Sequence, residues 1–267
     1  MQRFESSFDA DELRANTFVR HVEVHDELGS TNDRAIELAR ELASDALPAL
    51  VVARRQTAGR GRGRNVWWSA DGALTFSLLI DQQSTGILPA NWPQVSLAMA
   101  VAVCDAISAD VPSATIGIKW PNDVFLDGRK VCGVLVESPG GAAPAKHRLV
   151  VGAGINVNNS WREAPADFAQ AGTAMCDISH RQHALPMVLE NMLRAFAHRI
   201  AQLRSRDAEL PRTWEQLNLM SGNQIVVEAD GRCIEGECEE IAYDGAIVVD
   251  TLFGKQRLYS GSVRIAN

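Results

Sequence analysis

Gly59 to Ser69 reads GRGRGRNVWWS: arginines at 60, 62 and 64 alternate with glycines, and Trp67 and Trp68 follow. Glycine lets backbone N–H groups converge on an anion and allows a ligand close to the chain. Arginine adds a forked, permanently charged donor set that fits carboxylate and phosphate. Without an anion these side chains repel one another, so the loop is expected to be loose when empty and ordered when loaded. Taken alone, a run this short reads equally well as a solvated basic loop or as an RGG-like contact to nucleic acid.

Further polar groups recur down the chain. In KWPND, Lys119 to Asp123, Pro121 keeps Trp120 out of helical geometry and fixes a turn. Lys119, Asn122 and Asp123 on that turn suit phosphate, ribose or hydrated magnesium, or they bond their own backbone. In GRKVCGVLVE, alternation puts Arg129 and Lys130 on opposite faces of a strand. If one face floors a pocket, Lys130 enters it; an edge or snorkelling lysine is the other reading. In GAGINVN, Gly152 and Gly154 leave room above a strand and Asn156 ends it with a donor and an acceptor. The third glycine and following helix of a dinucleotide fingerprint are missing.

The chain around these groups has 267 residues, 46% of them hydrophobic and 22% charged, and a formal net charge of −7. That is room for one good core and a small second one. An acidic balance argues against a broad nucleic-acid surface, so the positive site is local and its ligand small. The N-terminus carries several acids and no apolar run, unlike a signal peptide. No apolar run reaches the length of a membrane span. Five cysteines, at 104, 132, 176, 233 and 238, form no CxxC pair. They read as reduced thiols of a cytoplasmic protein, with no metal site of their own.

The elements that must position these groups follow from periodicity. STNDRAIELARELASD is a helix that Ser30 or Thr31 can cap, with Asp33 in its first turn. ALVVARRQT and LTFSLLI read as strands, the first ending at the arginine loop. WPQVSLAMAVAVCDAISAD is a mostly buried helix with Pro93 near its start. ATIGIKW is a strand, and Asp127-Gly128 links two more as a hairpin. HRLVVGAGINV is another strand, behind an exposed SPGGAAPA turn, and two amphipathic helices follow. After Leu219 the texture changes to short strand-like runs separated by DG and FG turns. Residues 219–267 therefore read as a small all-β module beside a domain over 1–218. The order is α+β, not a doubly wound parallel sheet.

STN, QTAGRGRGRNVWWS, KWPND, GRKVCGVLVE and GAGINVN, in that order, resemble the biotin protein ligase family, from about Glu23 to the C-terminus. The resemblance implies a central mixed β-sheet with flanking helices, similar to class II aminoacyl-tRNA synthetase cores, and a small SH3-like C-terminal barrel. It implies ATP-dependent biotinylation of a lysine on biotin carboxyl carrier protein through biotinyl-5′-adenylate. Biotin and ATP are the substrates, magnesium accompanies the nucleotide, and the protein is a monomer or a homodimer.

The resemblance also implies roles. Ser30, Thr31, Asn32, Gln56 and Gly152 fall at the biotin ring, and Gly133 at the pocket floor. Gly59, Arg60, Gly61 and Arg62 form the phosphate-and-carboxylate loop, with Arg62 holding the adenylate. Lys130 lies by biotin's carboxylate and the α-phosphate. Trp67, Lys119, Asn122, Asp123, Gly154 and Asn156 serve the nucleotide, with magnesium near Asp123. Trp161 or Phe168 covers adenine.

Two departures accompany the likeness. The family loop reads G-R-G-R-x-G-R-x-W; aligned on Trp67, Gly63 takes the x position, Arg64 the second glycine's place and Asn65 that of the last arginine. A one-residue shift restores Gly63-Arg64 as the GR pair, so the role of Arg64 stays open. Some family members carry an N-terminal helix-turn-helix of about sixty residues and repress the biotin operon; about twenty residues precede the pattern here, so no operator binding is expected. The lipoate–protein ligases share the fold but usually place a serine-glycine-glycine run and a histidine in the anion loop.

Overall fold

The computed structural model describes residues 7–142, 144–165 and 172–266. In chain order the elements are α1 (Ala10–Asn16), β1 (His21–Leu28), α2 (Thr31–Glu41), β2 (Ala49–Gln56), β3 (Ala73–Asp81), α3 (Gln82–Thr85) and α4 (Trp92–Ser108). They continue with β4 (Ile116–Lys119), β5 (Asp123–Leu126), β6 (Arg129–Glu137), β7 (Arg148–Asn156), α5 (Met175–Ser179), α6 (Leu185–Ser205) and α7 (Glu209–Leu217). The last five strands are β8 (Gln224–Ala229), β9 (Arg232–Ile241), β10 (Ile247–Thr251), β11 (Gly254–Leu258) and β12 (Ser262–Ile265).

The first seven strands form one mixed sheet in the order β1-β2-β3-β7-β6-β5-β4. Only β1 and β2 run parallel, joined by α2. Every other neighbour is antiparallel, as the α+β order requires. The expected Asp127-Gly128 turn is present, with both residues at positive φ (47° and 75°). β1 was not legible from pattern: HVEVHDEL alternates apolar with ionic residues because this strand is a sheet edge, where charge guards unpaired backbone.

Two apolar layers sandwich this sheet. On one face α2 packs Ala35, Leu38 and Ala39 onto Val51, Leu79 and Val150. On the other lie α4 and α6. Most residues of α4 are buried around its whole circumference, as expected of a helix enclosed on all sides. The last five strands form an antiparallel sheet ordered β11-β10-β9-β8-β12. Its Ile225, Val227, Ile247 and Val249 belong to the same continuous core as α4 and β4. Polar ties cross the junction: the Trp120 indole N–H donates to the Gly245 carbonyl at 3.0 Å, and the Gln94 amide to that of Tyr243 at 3.0 Å.

Candidate active site

The cavity exists because side chains run out along the α2 face of the sheet. Following β7 along that face gives Val150, then Gly152, then Gly154. Gly152 stands between Ser77 and Leu135, and Gly154 between Thr75 and Gly133. Below the N-terminus of α2 the sheet therefore presents bare backbone. A cavity of about 150 Å³ opens there, lined by Ser30, Thr31, Asn32, Gln56, Arg60, Gly61, Arg62, Trp67, Asn122, Asp123, Lys130, Gly133, Gly152 and Gly154, among others.

The glycines are close approaches. A Cβ on Gly152 would fall 1.9 Å from Asn32 Oδ1, and one on Gly154 would fall 2.3 Å from Trp67 Cε2. Asn32 and Trp67 thus rest directly on the sheet.

A chain of polar groups runs along the helix end of the cavity. The Ser77 hydroxyl lies 2.6 Å from Asn32 Oδ1 and 2.8 Å from Thr31 Oγ1. The Thr31 N–H donates to Gln56 Oε1 at 2.7 Å. Ser30 occupies the N-cap position of α2, but its side chain makes no capping bond, contrary to the expected cap. Ser77 carried a signal that sequence reading passed over: it is a hydroxyl within the apolar run LTFSLLI, and burial of an unpartnered hydroxyl is costly.

The arginine loop is a narrow hairpin. The Trp67 N–H donates to the Gly59 carbonyl at 2.9 Å and the Gly61 N–H to that of Asn65 at 2.8 Å, with Gly63 turning at φ 66°. These N–H groups are therefore engaged in the hairpin and do not converge into an anion nest. The three arginines part company. Arg60 forks onto Glu137 at 2.8 and 2.7 Å and reaches Asp33 at 2.8 Å. Arg62 donates to the carbonyl of Gly261, just before β12 of the C-terminal sheet, beside Ser262, which also lines the cavity. Burial holds the Arg62 pKa below the ordinary guanidinium value, opposed by nearby Asp123. Arg64 is exposed and lies off the cavity wall.

Lys130 reaches the cavity through a bulge. The β5–β6 register pairs Val124 with Cys132 and Phe125 with Lys130, leaving Val131 unopposed. That extra residue buries both Val131 and Cys132 and turns Lys130 onto the face of Gly133, Leu135 and Glu137. Strict alternation would have sent it to the opposite face. A Cβ on Gly133 would lie 3.2 Å from Lys130 Nζ, which pairs with Asp123 at 2.7 Å. Asn122 is pinned to β6, its amide donating to the Val134 carbonyl at 2.6 Å.

Lys119, Asn156 and Gly59 fall off this wall. Lys119 Nζ stands 5.9 Å from the centre of the Phe125 ring on the edge hairpin. Asn156 is fully buried, donating to the Thr173 carbonyl and accepting from Asn159, each at 3.0 Å. Gly59 supports Trp67 from beneath, where a Cβ would meet the Trp67 carbonyl oxygen at 2.6 Å. Trp161 stacks edge-on against Trp68, ring centres 5.1 Å apart; Phe168 lies outside the described residues. Glu137, closing GRKVCGVLVE, was missed. It binds both Arg60 and the Asn32 amide. Burial pushes its pKa up, but those bonds outweigh it and hold the carboxyl below its ordinary value.

Among the described residues no three His, Cys, Asp or Glu side chains gather to hold a metal, and no helix is long and apolar enough to cross a membrane.

This mixed sheet, with a cavity lined by cationic and polar side chains over bare glycines, matches known proteins along most of its length. The model of the Biotin/lipoate A/B protein ligase family matches residues 28–156. A biotin–acetyl-CoA-carboxylase ligase of Paracoccus denitrificans is 32% identical over 238 residues, covering 88% of this chain and 96% of that one. Its counterpart in Mycobacterium tuberculosis is 30% identical, covering 86% and 84%. A bifunctional ligase/repressor BirA of Bacillus subtilis is 28% identical, over 95% of this chain and 76% of that one. The structure of a biotin protein ligase from Aquifex aeolicus in complex with biotin and ATP superposes with a TM-score of 0.78 at 27% identity, covering 92% of this chain and 100% of that one. The chain belongs to the biotin/lipoate A/B protein ligase family, among its biotin protein ligases.

Proposed function

We propose that this ligase activates biotin with ATP as biotinyl-5′-adenylate and passes the biotinyl group to a lysine of a biotin carboxyl carrier protein. The observation that carries the reading is the meeting of Arg62 and Lys130 on one wall of a cavity whose other end is the neutral polar chain Asn32–Thr31–Gln56. Hydroxyl and amide groups there suit a cyclic urea; Arg62 and Lys130 suit a carboxylate and a phosphate. Relatives named for biotin transfer to acetyl-CoA carboxylase, and a neighbour holding biotin and ATP, support it.

A carboxylate is a poor acyl donor. In the first step a biotin carboxylate oxygen attacks the α-phosphorus of ATP, the bond to the β-phosphate oxygen breaks, and pyrophosphate leaves. Bringing two anions together costs about 4 kcal/mol at about 4 Å in a protein-like dielectric. Arg62 and Lys130 offset that repulsion and stabilise charge that builds on the phosphorus. Asp123, paired with Lys130, holds the ammonium in place. In the second step the carrier's ε-amine attacks the acyl carbon, the bond to AMP breaks, and the amine gives up a proton.

Magnesium prefers octahedral oxygen ligands and several waters. Asp123 is already bound to Lys130, and among the described residues it belongs to no group of three carboxylate, histidine or cysteine side chains. The residues do not make a resident magnesium site; in this reading the ion enters with the nucleotide's phosphates.

The test is transfer. The protein is mixed with ATP, magnesium, labelled biotin and an apo carrier domain, and label is followed onto the carrier. Label on the carrier lysine supports the reading. Transfer from lipoate and none from biotin would overturn it.

A further inference from the structure

The cavity has two electrically distinct ends. At the helix end, Arg60 lines the cavity but is neutralised from behind by two carboxylates that do not line it, Glu137 and Asp33, within 2.8 Å. At the other end two cations, Arg62 and Lys130, share one carboxylate, Asp123. The far end therefore carries net positive charge, and the helix end offers neutral polar groups beside an arginine whose charge is already met. An incoming carboxylate or phosphate is drawn to the far end, while a neutral cyclic urea suits the helix end.

Arg60 has little left with which to meet an anion: its buried Nε–H alone lacks a partner. Both terminal nitrogens are engaged, in the two-pronged geometry that makes arginine–carboxylate pairs strong. Its acceptor, Glu137, uses the same oxygen to receive the Asn32 amide at 2.7 Å, and Asn32 is in turn bonded by Ser77. Glu137 thus ties the arginine loop to the head of α2, the segment that presents Asn32 to the cavity.

We infer that Glu137 is a positioning residue that locks the arginine loop to α2 and neutralises Arg60, so that Arg60 serves as the loop's anchor and leaves the substrate's anions to Arg62 and Lys130. This rests on the ligase reading above, and it assigns opposite duties to two arginines that are two residues apart.

The experiment compares binding of biotin and of biotinamide, whose tail is uncharged, by calorimetry without ATP. Glu137→Gln and Arg60→Met should each weaken both compounds in parallel, by about tenfold, and the double variant should be no worse than either single one. Glu137→Asp, which keeps the charge but shortens the reach, should fall between. If Arg60 were an anion ligand, Arg60→Met would weaken biotin and spare biotinamide, and Glu137→Gln would leave biotin affinity unchanged or tighter by releasing Arg60. Either result overturns the inference while leaving the ligase reading intact. A wild-type protein that binds neither compound would instead overturn the ligase reading itself. Circular dichroism of each variant separates loss of binding from loss of fold.

Discussion

Trp67 rests on the bare backbone of Gly154, so close that a methyl group there would fall 2.3 Å from the indole Cε2. The Trp67 backbone is held to Gly59 by its N–H bond and by close contact, so a methyl group at Gly154 has to displace the indole. Gly154→Ala is therefore expected to cost about 1–3 kcal/mol of overpacking, spent mainly on Trp67's position. Biotin-dependent ATP–pyrophosphate exchange should drop by about 10- to 100-fold, while the melting temperature falls by about 2–10 °C. Exchange at the wild-type rate would show that the indole's placement is unimportant.

Arg62 and Lys130 act at the anionic junction of the substrates in the proposed mechanism. Arg62→Ala should let the adenylate escape faster, and Lys130→Ala should slow its formation by about 10²- to 10³-fold, as for loss of one preorganised donor. Rapid-quench measurement of enzyme-bound and free adenylate separates the two. Unaltered kinetics in either variant removes that residue from the chemistry.

Arg64 is exposed and makes no part of the cavity wall. Arg64→Ala should change stability by no more than about 0.5 kcal/mol and leave adenylate formation within about twofold of the wild-type rate. A larger loss in the same quench assay would bring this arginine into the site and favour the shifted alignment of the loop.

Ser77 is wholly buried and bonds both Thr31 and Asn32. Ser77→Ala leaves those partners with unmet hydrogen-bonding groups, a cost of about 1–3 kcal/mol. Biotin affinity measured by calorimetry should fall by roughly tenfold or more, with ATP affinity unaffected. Equal losses for both ligands would point to general loosening of the sheet.

Glu23 on β1 links the edge of the sheet to α2. Hydrogen bonds from Arg34 lead in lowering its pKa from 4.5 to about 2, against the upward push of burial and with help from His25 and His21. A depressed carboxyl stabilises the fold above its unfolded pKa and loses that contribution as pH falls through the folded value. Stability should therefore decline between about pH 4.5 and pH 2, by about 1–2 kcal/mol after allowance for solvent screening at this partly exposed pair. Glu23→Gln should flatten that part of a urea-denaturation pH profile. An unchanged slope would assign the acid sensitivity to other groups.

How far sequence reaches into this site depends on the distance over which each residue finds its partner. The glycines at 133, 152 and 154 and the arginines at 60 and 62 were legible, because each marks a local need for close approach or for charge. Glu137 was not: its partner Arg60 lies 77 residues away, and an acid ending an apolar strand resembles ordinary surface. Lys130 was legible as a candidate, but the route it takes was not, since a one-residue bulge at Val131 leaves no mark in an apolar run. Lys119 and Asn156 were read as site residues because their types fit the chemistry; the fold turns one onto an edge hairpin and engages the other with the Thr173 carbonyl and Asn159 at the end of β7. β1 escaped notice for a related reason, its charges serving an edge instead of a buried face.

The bond from Arg62 to Gly261, with Ser262 beside it on the cavity wall, alters what can be cut from this chain. Residues 219–267 read as a module by texture, yet an enzyme trimmed at that seam would lose the acceptor of the Arg62 guanidinium and the carbonyl that receives the Trp120 indole. The seam is a boundary of composition, not of chemistry. Exchange of the C-terminal sheet between relatives therefore has to match two carbonyls in space, whatever its surface residues are.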